Sequence, residues 1–299
     1  MRAFCAAFLA LACAAPPEPA SQSPTAAPPT PLRVTRAEVA ARLDTGIDVS
    51  NHSGAVDWKQ VRDAGYTFGI AKASEGVDNP DRAFADHWAG IKEAGLIRGA
   101  YHFYVTEDDP REQAALFISR VTLEPGDLAP ILDVELIGHG TEEEGLPARV
   151  ETWLEVIEAH YGVRPILYTD ARFWNEHFGT AAERFAGYPL WLAEYKASEP
   201  TLPLGWKTWH LWQWSGDATV PGVEKTADLS RVNRSLDLSG LVFVPTPKTD
   251  TPARGPSAGT PGAWDRLRSS AAGPRRGRPR CARSGWPRSP RPRRAAARG

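Results

Sequence analysis

The chain has 299 residues, room for one large domain or two small ones, and a composition that excludes a fibrous or wholly disordered protein. Its net charge of −1 conceals an asymmetry: residues 246–299 carry 14 Lys and Arg against two acids, leaving 21 against 34 in the rest. The three cysteines, Cys5, Cys13 and Cys281, all lie outside residues 43–244, which excludes a disulfide framework or thiolate metal site there.

At the N-terminus, Arg2 precedes an uncharged run from Ala3 to Ala15. The run is too short to span a bilayer but suits the apolar region of an export signal, so residues 1–15 are expected to direct export. Ala12-Cys13-Ala14-Ala15 permits ordinary cleavage after small residues, whereas Ala10-Leu11-Ala12-Cys13 fits a lipobox in which Cys13 would carry a lipid anchor. The first reading makes the protein secreted or periplasmic, and the second makes it a membrane-anchored lipoprotein. Residues 16–42, rich in Pro and Ala, are expected to form a linker.

Beyond the linker, apolar β-type runs occur at 46–49, 66–71, 97–105, 129–134, 165–168, 190–193 and 209–214. Helix-type stretches separate the first six, at 58–64, 81–94, 110–121, 148–161 and 171–185, with Asp57 and Asp108 as helix-start residues. Alternation of this kind predicts an α/β fold with a parallel sheet and crossover helices. No Gly-x-Gly-x-x-Gly or P-loop follows the first run, so an irregular TIM-like β/α barrel fits better than a nucleotide-binding sheet. The helices thin out after Phe185, predicting fewer helices than strands and a closure built mostly of strands. Residues 43–245 are thus expected to be a single catalytic domain. From 246 onward Pro, Gly, Ser and Arg dominate without a period, which predicts a disordered basic tail. Such a tail would suit anionic wall polymers or nucleic acid, or be incidental.

In a parallel barrel, function gathers at the C-terminal ends of the strands. Asp48 ends the first run, Asp133 and Glu135 end the fourth, and Asp228 follows the last. Positions i and i+2 of a strand share a face, so Asp133 and Glu135 project together while Val134 points away. Two carboxylates held close cannot both ionise freely, and the one that keeps its proton is a proton donor near neutral pH. Hydrolysis of a glycosidic bond needs such a donor and a second carboxylate. Strand-end acids also cap helices or bind cations, so the pair alone leaves both readings open. Aromatic residues at the same level, Tyr101 to Tyr104, Trp191, Tyr195 and Trp212-Gln213-Trp214, suit a sugar groove collectively, although each singly reads as core. The seven histidines show no metal-ligand spacing, and neither metal nor cofactor is expected.

The segments Asp44-Thr45-Gly46-Ile47-Asp48-Val49-Ser50, Val56-Asp57-Trp58 and Phe68-Gly69-Ile70-Ala71-Lys72-Ala73-Ser74-Glu75-Gly76 come first in a series. Gly99-Ala100-Tyr101-His102-Phe103-Tyr104, Leu132-Asp133-Val134-Glu135, Leu190-Trp191-Leu192-Ala193-Glu194-Tyr195 and Trp212-Gln213-Trp214-Ser215 continue it. In order and spacing, over about residues 43–241, the series resembles the motifs of family 25 glycoside hydrolases, the Cellosyl-like lysozymes or N-acetylmuramidases. The resemblance implies a β/α barrel that cleaves the β-1,4 bond between N-acetylmuramic acid and N-acetylglucosamine, with bacterial peptidoglycan as partner and a monomeric enzyme. It implies Glu135 as general acid, Asp133 as assisting carboxylate through the substrate N-acetyl group or a water, and Asp48 and Asp228 as completing the acidic cluster. Tyr101, Tyr168, Trp191, Tyr195 and Gln213 would line the sugar groove. The family usually has Asn at the position of Ser230 and Val at that of Ala227; neither change removes a carboxylate, but both bear on Asp228. Lys72 and Glu75 either contact substrate or pair with each other. Two other classes compete: a non-catalytic glycan-binding module that kept the groove, and a related barrel glycosidase acting on a chitin-like polymer.

Overall fold

A computed structural model describes residues 34–138, 145–195 and 197–245. The export signal, Cys13 and the basic tail lie outside the described residues. The part of the 16–42 stretch that is described departs from the linker expectation, because it holds helix α1 (Arg36–Ala40). Thr35 and Glu38 form a reciprocal capping box there, and Val39 and Ala40 are buried.

The remaining elements follow in chain order: β1 (Thr45–Val49), α2 (Trp58–Asp63), β2 (Phe68–Glu75), β3 (Asn79–Pro80), α3 (Phe84–Glu93), β4 (Ile97–Phe103) and α4 (Pro110–Arg120). Then come β5 (Ile131–Asp133), α5 (Leu146–Tyr161), β6 (Ile166–Asp170), α6 (Ala171–Phe178), β7 (Leu190–Ala193), β8 (Leu211–Ala218) and β9 (Ala227–Val232). Strands β1, β2, β4, β5, β6, β7 and β8 run parallel in that order. Strand β9 lies antiparallel between β8 and β1 and closes the ring, while β3 pairs with β2 outside it. The result is a closed eight-strand mixed barrel with six α-helices among the described residues.

Strand alternation sorts each side chain to one of two cores. Outward residues such as Ile47, Ala71, Ala100, Leu132, Val134, Leu167 and Leu192 join Trp58, Phe117, Trp153 and Trp174 between sheet and helices. Inward residues such as Phe68, Ile70, Ile97, Ile131, Ile166, Trp191 and Leu211 fill the barrel, whose lower mouth is stopped by Val39, Leu43, Leu241 and Val242. A buried ion cluster stands at this lower end. Arg98 donates to both carboxylate oxygens of Asp127 at 2.8 and 3.0 Å and to Glu124 at 2.9 Å, with its guanidinium 3.9 Å from the Trp88 ring centroid.

Two sequence expectations shift. Helix α4 is capped by Asp109, whose side chain accepts from Arg111 N and Glu112 N. Asp108 was expected to start it but instead accepts from Val77 N, since a cap must stand directly before the first helical residue. Second, Asp228 does not follow the last strand but sits within β9, which no apolar run announces.

Candidate active site

The inward register that builds the lower core from Ile and Phe delivers polar residues at the upper, C-terminal end of the same strands. On β5, Ile131 is core and Asp133 is the next inward position. Val134 extends the pairing through its N–H to Tyr168 O at 3.0 Å, so Glu135, just beyond the strand, remains on the Asp133 side. On β1 the inward residue is Asp48, with Ile47 and Val49 facing the helices. Asp228 of β9 is its register partner across the antiparallel pair. The structure thus assembles the four acids expected from the sequence at one end of the barrel, two from the adjacent strands β1 and β9 and two from the end of β5 across the ring.

Around them stand Tyr101 on β4, Tyr168 on β6, Trp191 on β7 and Gln213 on β8, with Tyr195 just past β7. Tyr168 and Trp191 meet edge to face, 4.8 Å between centroids, and Trp191 Nε1 donates to Ser230 Oγ at 3.0 Å. Tyr195 and Trp214 are exposed, at 48% and 41%, so they can present ring faces to a ligand. Trp191 is buried and supports Tyr168 from behind. Gly216 lets Tyr195 lie across β8: a Cβ there would stand 3.0 Å from the ring's Cζ and 3.2 Å from its hydroxyl.

Gln213 is fully engaged. Its Nε2 donates to Asp48 Oδ1 and Oδ2, both at 3.0 Å, and its Oε1 accepts from Tyr168 at 2.9 Å and Tyr195 at 2.7 Å. Tyr168 Oη also lies 3.5 Å from Glu135 Oε2. Asp133 is buried, and its Oδ1 has no hydrogen-bond partner among the described residues.

Burial raises every carboxyl pKa resolved here, because it disfavours the charged form. Asp133 is held well above the ordinary carboxylate range first by burial and then by Glu135, with Lys72 offsetting part of the rise. Burial first and Asp170 second push Glu135 up, against the hydrogen bond from Tyr168 and the charge of Lys72. Asp48 is raised well by burial and by Asp228, while the Gln213 hydrogen bond pulls it down. The Tyr101 phenol is also pushed up, by burial and then by Asp133, and stays a neutral donor.

Lys72 and Glu75 pair with each other at 2.5 Å, with Lys72 Nζ 4.7 Å from the Phe103 ring centroid. The pairing does not remove Lys72 from the site, since its charge lowers both Asp133 and Glu135. Asp170 was missed from sequence. It ends β6, caps α6 by accepting from Phe173 N at 2.8 Å, and its charge raises Glu135. An Asp directly before a helix was the available signal. His102 is a buried outward residue between Ser74 and Gln113, its pKa lowered to about 4 by burial, and belongs to the scaffold. Among the described residues no set of three or more His, Cys, Asp or Glu is arranged to hold a metal ion.

The chain is similar to known proteins in sequence and in fold. Residues 47–223 match the family model for Glycosyl hydrolases family 25; Asp228 lies beyond that span and joins the cluster through its register with Asp48. The chain is 34% identical to Lysozyme M1 of Streptomyces globisporus over 64% of its own length and 68% of that protein. It is 32% identical to an N,O-diacetylmuramidase of a Chalaropsis species, over 59% of this chain and 90% of that one. The crystal structure of a bacterial lysozyme from Streptomyces coelicolor superposes with a TM-score of 0.60 at 30% identity, covering 64% of this chain and 92% of that one.

Proposed function

The chain belongs to glycosyl hydrolase family 25, and on that premise we propose that Glu135 delivers the proton that frees the departing sugar. The enzyme is a lysozyme-type glycoside hydrolase. Its substrate is peptidoglycan, cleaved at the β-1,4 bond between N-acetylmuramic acid and N-acetylglucosamine. The observation that carries the residue assignment is the place of Glu135 just beyond β5, half-buried where Asp48 and Asp133 are buried, with burial and Asp170 raising its pKa. A carboxylic acid that keeps its proton near neutral pH can protonate a glycosidic oxygen, and an ordinary surface glutamate cannot.

Asp133 acts deeper on the same face. Its Oδ1 is buried without a hydrogen-bond partner, so the N–H of a substrate N-acetyl group or a water that reached it would supply the missing bond. Asp48 and Asp228 supply negative potential behind the bond, favouring positive charge at the anomeric carbon as the leaving group departs. Tyr195 and Trp214 offer ring faces for sugars, and Tyr101 and Tyr168 present neutral hydroxyls.

Residues 43–245 constitute the catalytic barrel. A substrate outside the cytoplasmic membrane requires export, which the 1–15 segment would direct, with Cys13 the residue that a lipid anchor would use.

Turbidity loss of a purified peptidoglycan suspension tests the assignment. Wild type clears it, and Glu135→Gln slows clearing by about a thousandfold, within the range for loss of a general acid. Equal clearing by both would remove Glu135 from the role. N-acetylmuramic acid at the new reducing ends is expected, and N-acetylglucosamine there would reassign the bond.

A further inference from the structure

The four hydrogen bonds of Gln213 carry information about where protons sit. An amide donates from its nitrogen and accepts at its oxygen, so its orientation dictates what each neighbour must do. With Nε2 3.0 Å from both oxygens of Asp48, the amide donates to Asp48 and favours its ionised form. With Oε1 facing two phenols at 2.9 and 2.7 Å, Tyr168 and Tyr195 must both donate. A hydroxyl has one hydrogen, so Tyr168 can give it either to Gln213 Oε1 at 2.9 Å or to Glu135 Oε2 at 3.5 Å, and the shorter contact favours Gln213. While the hydrogen is turned to Gln213, Glu135 lacks the donor that would lower its pKa, which favours its protonated form. The opposite amide orientation would invert everything: a protonated Asp48 donating to Oε1, Nε2 donating to the phenols, and Tyr168 donating to an ionised Glu135.

We infer that Gln213 is a positioning residue that keeps the cluster's proton on Glu135 and off Asp48, acting through Tyr168 rather than binding the sugar. The inference rests on the reading of Glu135 as the general acid. Both ends of the amide already bond protein groups, and the residue is buried at 2% exposure, which disfavours direct contact with a ligand. Burial, Asp228 and Glu135 together hold Asp48 well above the ordinary carboxylate range, and the hydrogen bond from Gln213 is the side-chain contact that works against that rise. The groups facing this pair are Asp133, Asp170, Tyr168, Tyr101, Tyr195, Asp228 and the Lys72–Glu75 pair. Without Gln213, Asp48 would lose its donor and take the proton more readily. Tyr168 would then be free to donate to Glu135, favouring its ionised form. The pH above which the acid is lost must therefore fall.

The test measures kcat and KM against pH on a soluble peptidoglycan fragment, with the full chain and the variants Gln213→Leu and Gln213→Glu. Gln213→Leu is expected to lower kcat by about a hundredfold, to change KM by no more than about threefold, and to move the basic limb of the profile to lower pH. Gln213→Glu should regain kcat only at acid pH, where its protonated carboxyl can donate to Asp48 while its other oxygen accepts from the tyrosines. If Gln213→Leu does not fold, that acid-side rescue decides alone. A raised KM with kcat and both limbs unchanged would make Gln213 a sugar ligand and overturn the inference. Failure of the wild type to cleave would overturn the enzymatic reading instead, a separate outcome.

Discussion

The two ends of the barrel bury carboxylates in opposite ways. At the lower end Asp127 receives a two-pronged guanidinium from Arg98, which also reaches Glu124. At the upper end Asp48, Asp133 and Glu135 face one another and Asp228, and Lys72 already shares itself with Glu75. Burial raises the pKa in both places. At Asp127 the hydrogen bonds and charge of Arg98 work against that rise, whereas at Asp48 and Asp133 neighbouring acids add to it. The same fold therefore uses one end for cohesion and leaves the other poised to hold protons. A buried acid signals function only when its neighbours fail to neutralise it.

The largest effect that would break this contrast lies at the paired end. Arg98→Ala strands a buried carboxylate and should cost about 3–5 kcal/mol of stability, read from the urea midpoint. The pH limbs of the folded fraction's activity should not move. A loss under about 1 kcal/mol would mean the cluster contributes little beyond a surface pair.

Asp133→Asn sharpens the comparison from the other side. Because the folded pKa of Asp133 is raised, its contribution to stability is fully present below the unfolded value of about 3.9 and is lost as pH rises through the folded value. A neutral amide removes that loss. The variant should melt higher than wild type at pH 7 and converge with it in acid, while activity falls by about a hundredfold. Lower stability at pH 7 would show Asp133 to be a paired, structural acid.

The smallest change is Gly216→Ala. The added methyl would stand 3.0–3.2 Å from the Tyr195 ring and hydroxyl, so the ring must shift and its hydrogen bond to Gln213 weakens. Losing one such hydrogen bond predicts about a fivefold fall in kcat/KM, equivalent to roughly 1 kcal/mol, with melting nearly unchanged. Unaltered kinetics would remove Tyr195 from the network.

Much of this was legible from the sequence, for identifiable reasons. Strands β1, β2, β4, β5, β6, β7 and β8 each contain an apolar run, so their order and the position of Asp48, Asp133 and Glu135 at the strand ends could be read directly. Strand β9 could not, because two of its inward residues are Asp228 and Ser230, with only Val232 apolar, and no apolar run survives. Its register nevertheless sets Asp228 opposite Asp48. The cap of α4 was misplaced by one residue because two aspartates precede Pro110 and either resembles a cap in isolation. Gln213 looked like a groove residue. Its actual partners lie on β1, on β6 and after β7, a convergence that no spacing within one segment encodes. Asp170 was hidden by an ordinary role as the cap of α6, which also puts its charge beside Glu135.

The central claim is that the unpaired end of the barrel keeps a proton on Glu135. Carbon-13 NMR of the Glu135 side-chain carboxyl, assigned by its disappearance in Glu135→Gln and followed across pH, tests it most directly. The resonance should titrate clearly above the ordinary glutamate value of about 4.3 and shift downward in Gln213→Leu. A midpoint at or below that value in the wild type would contradict the account.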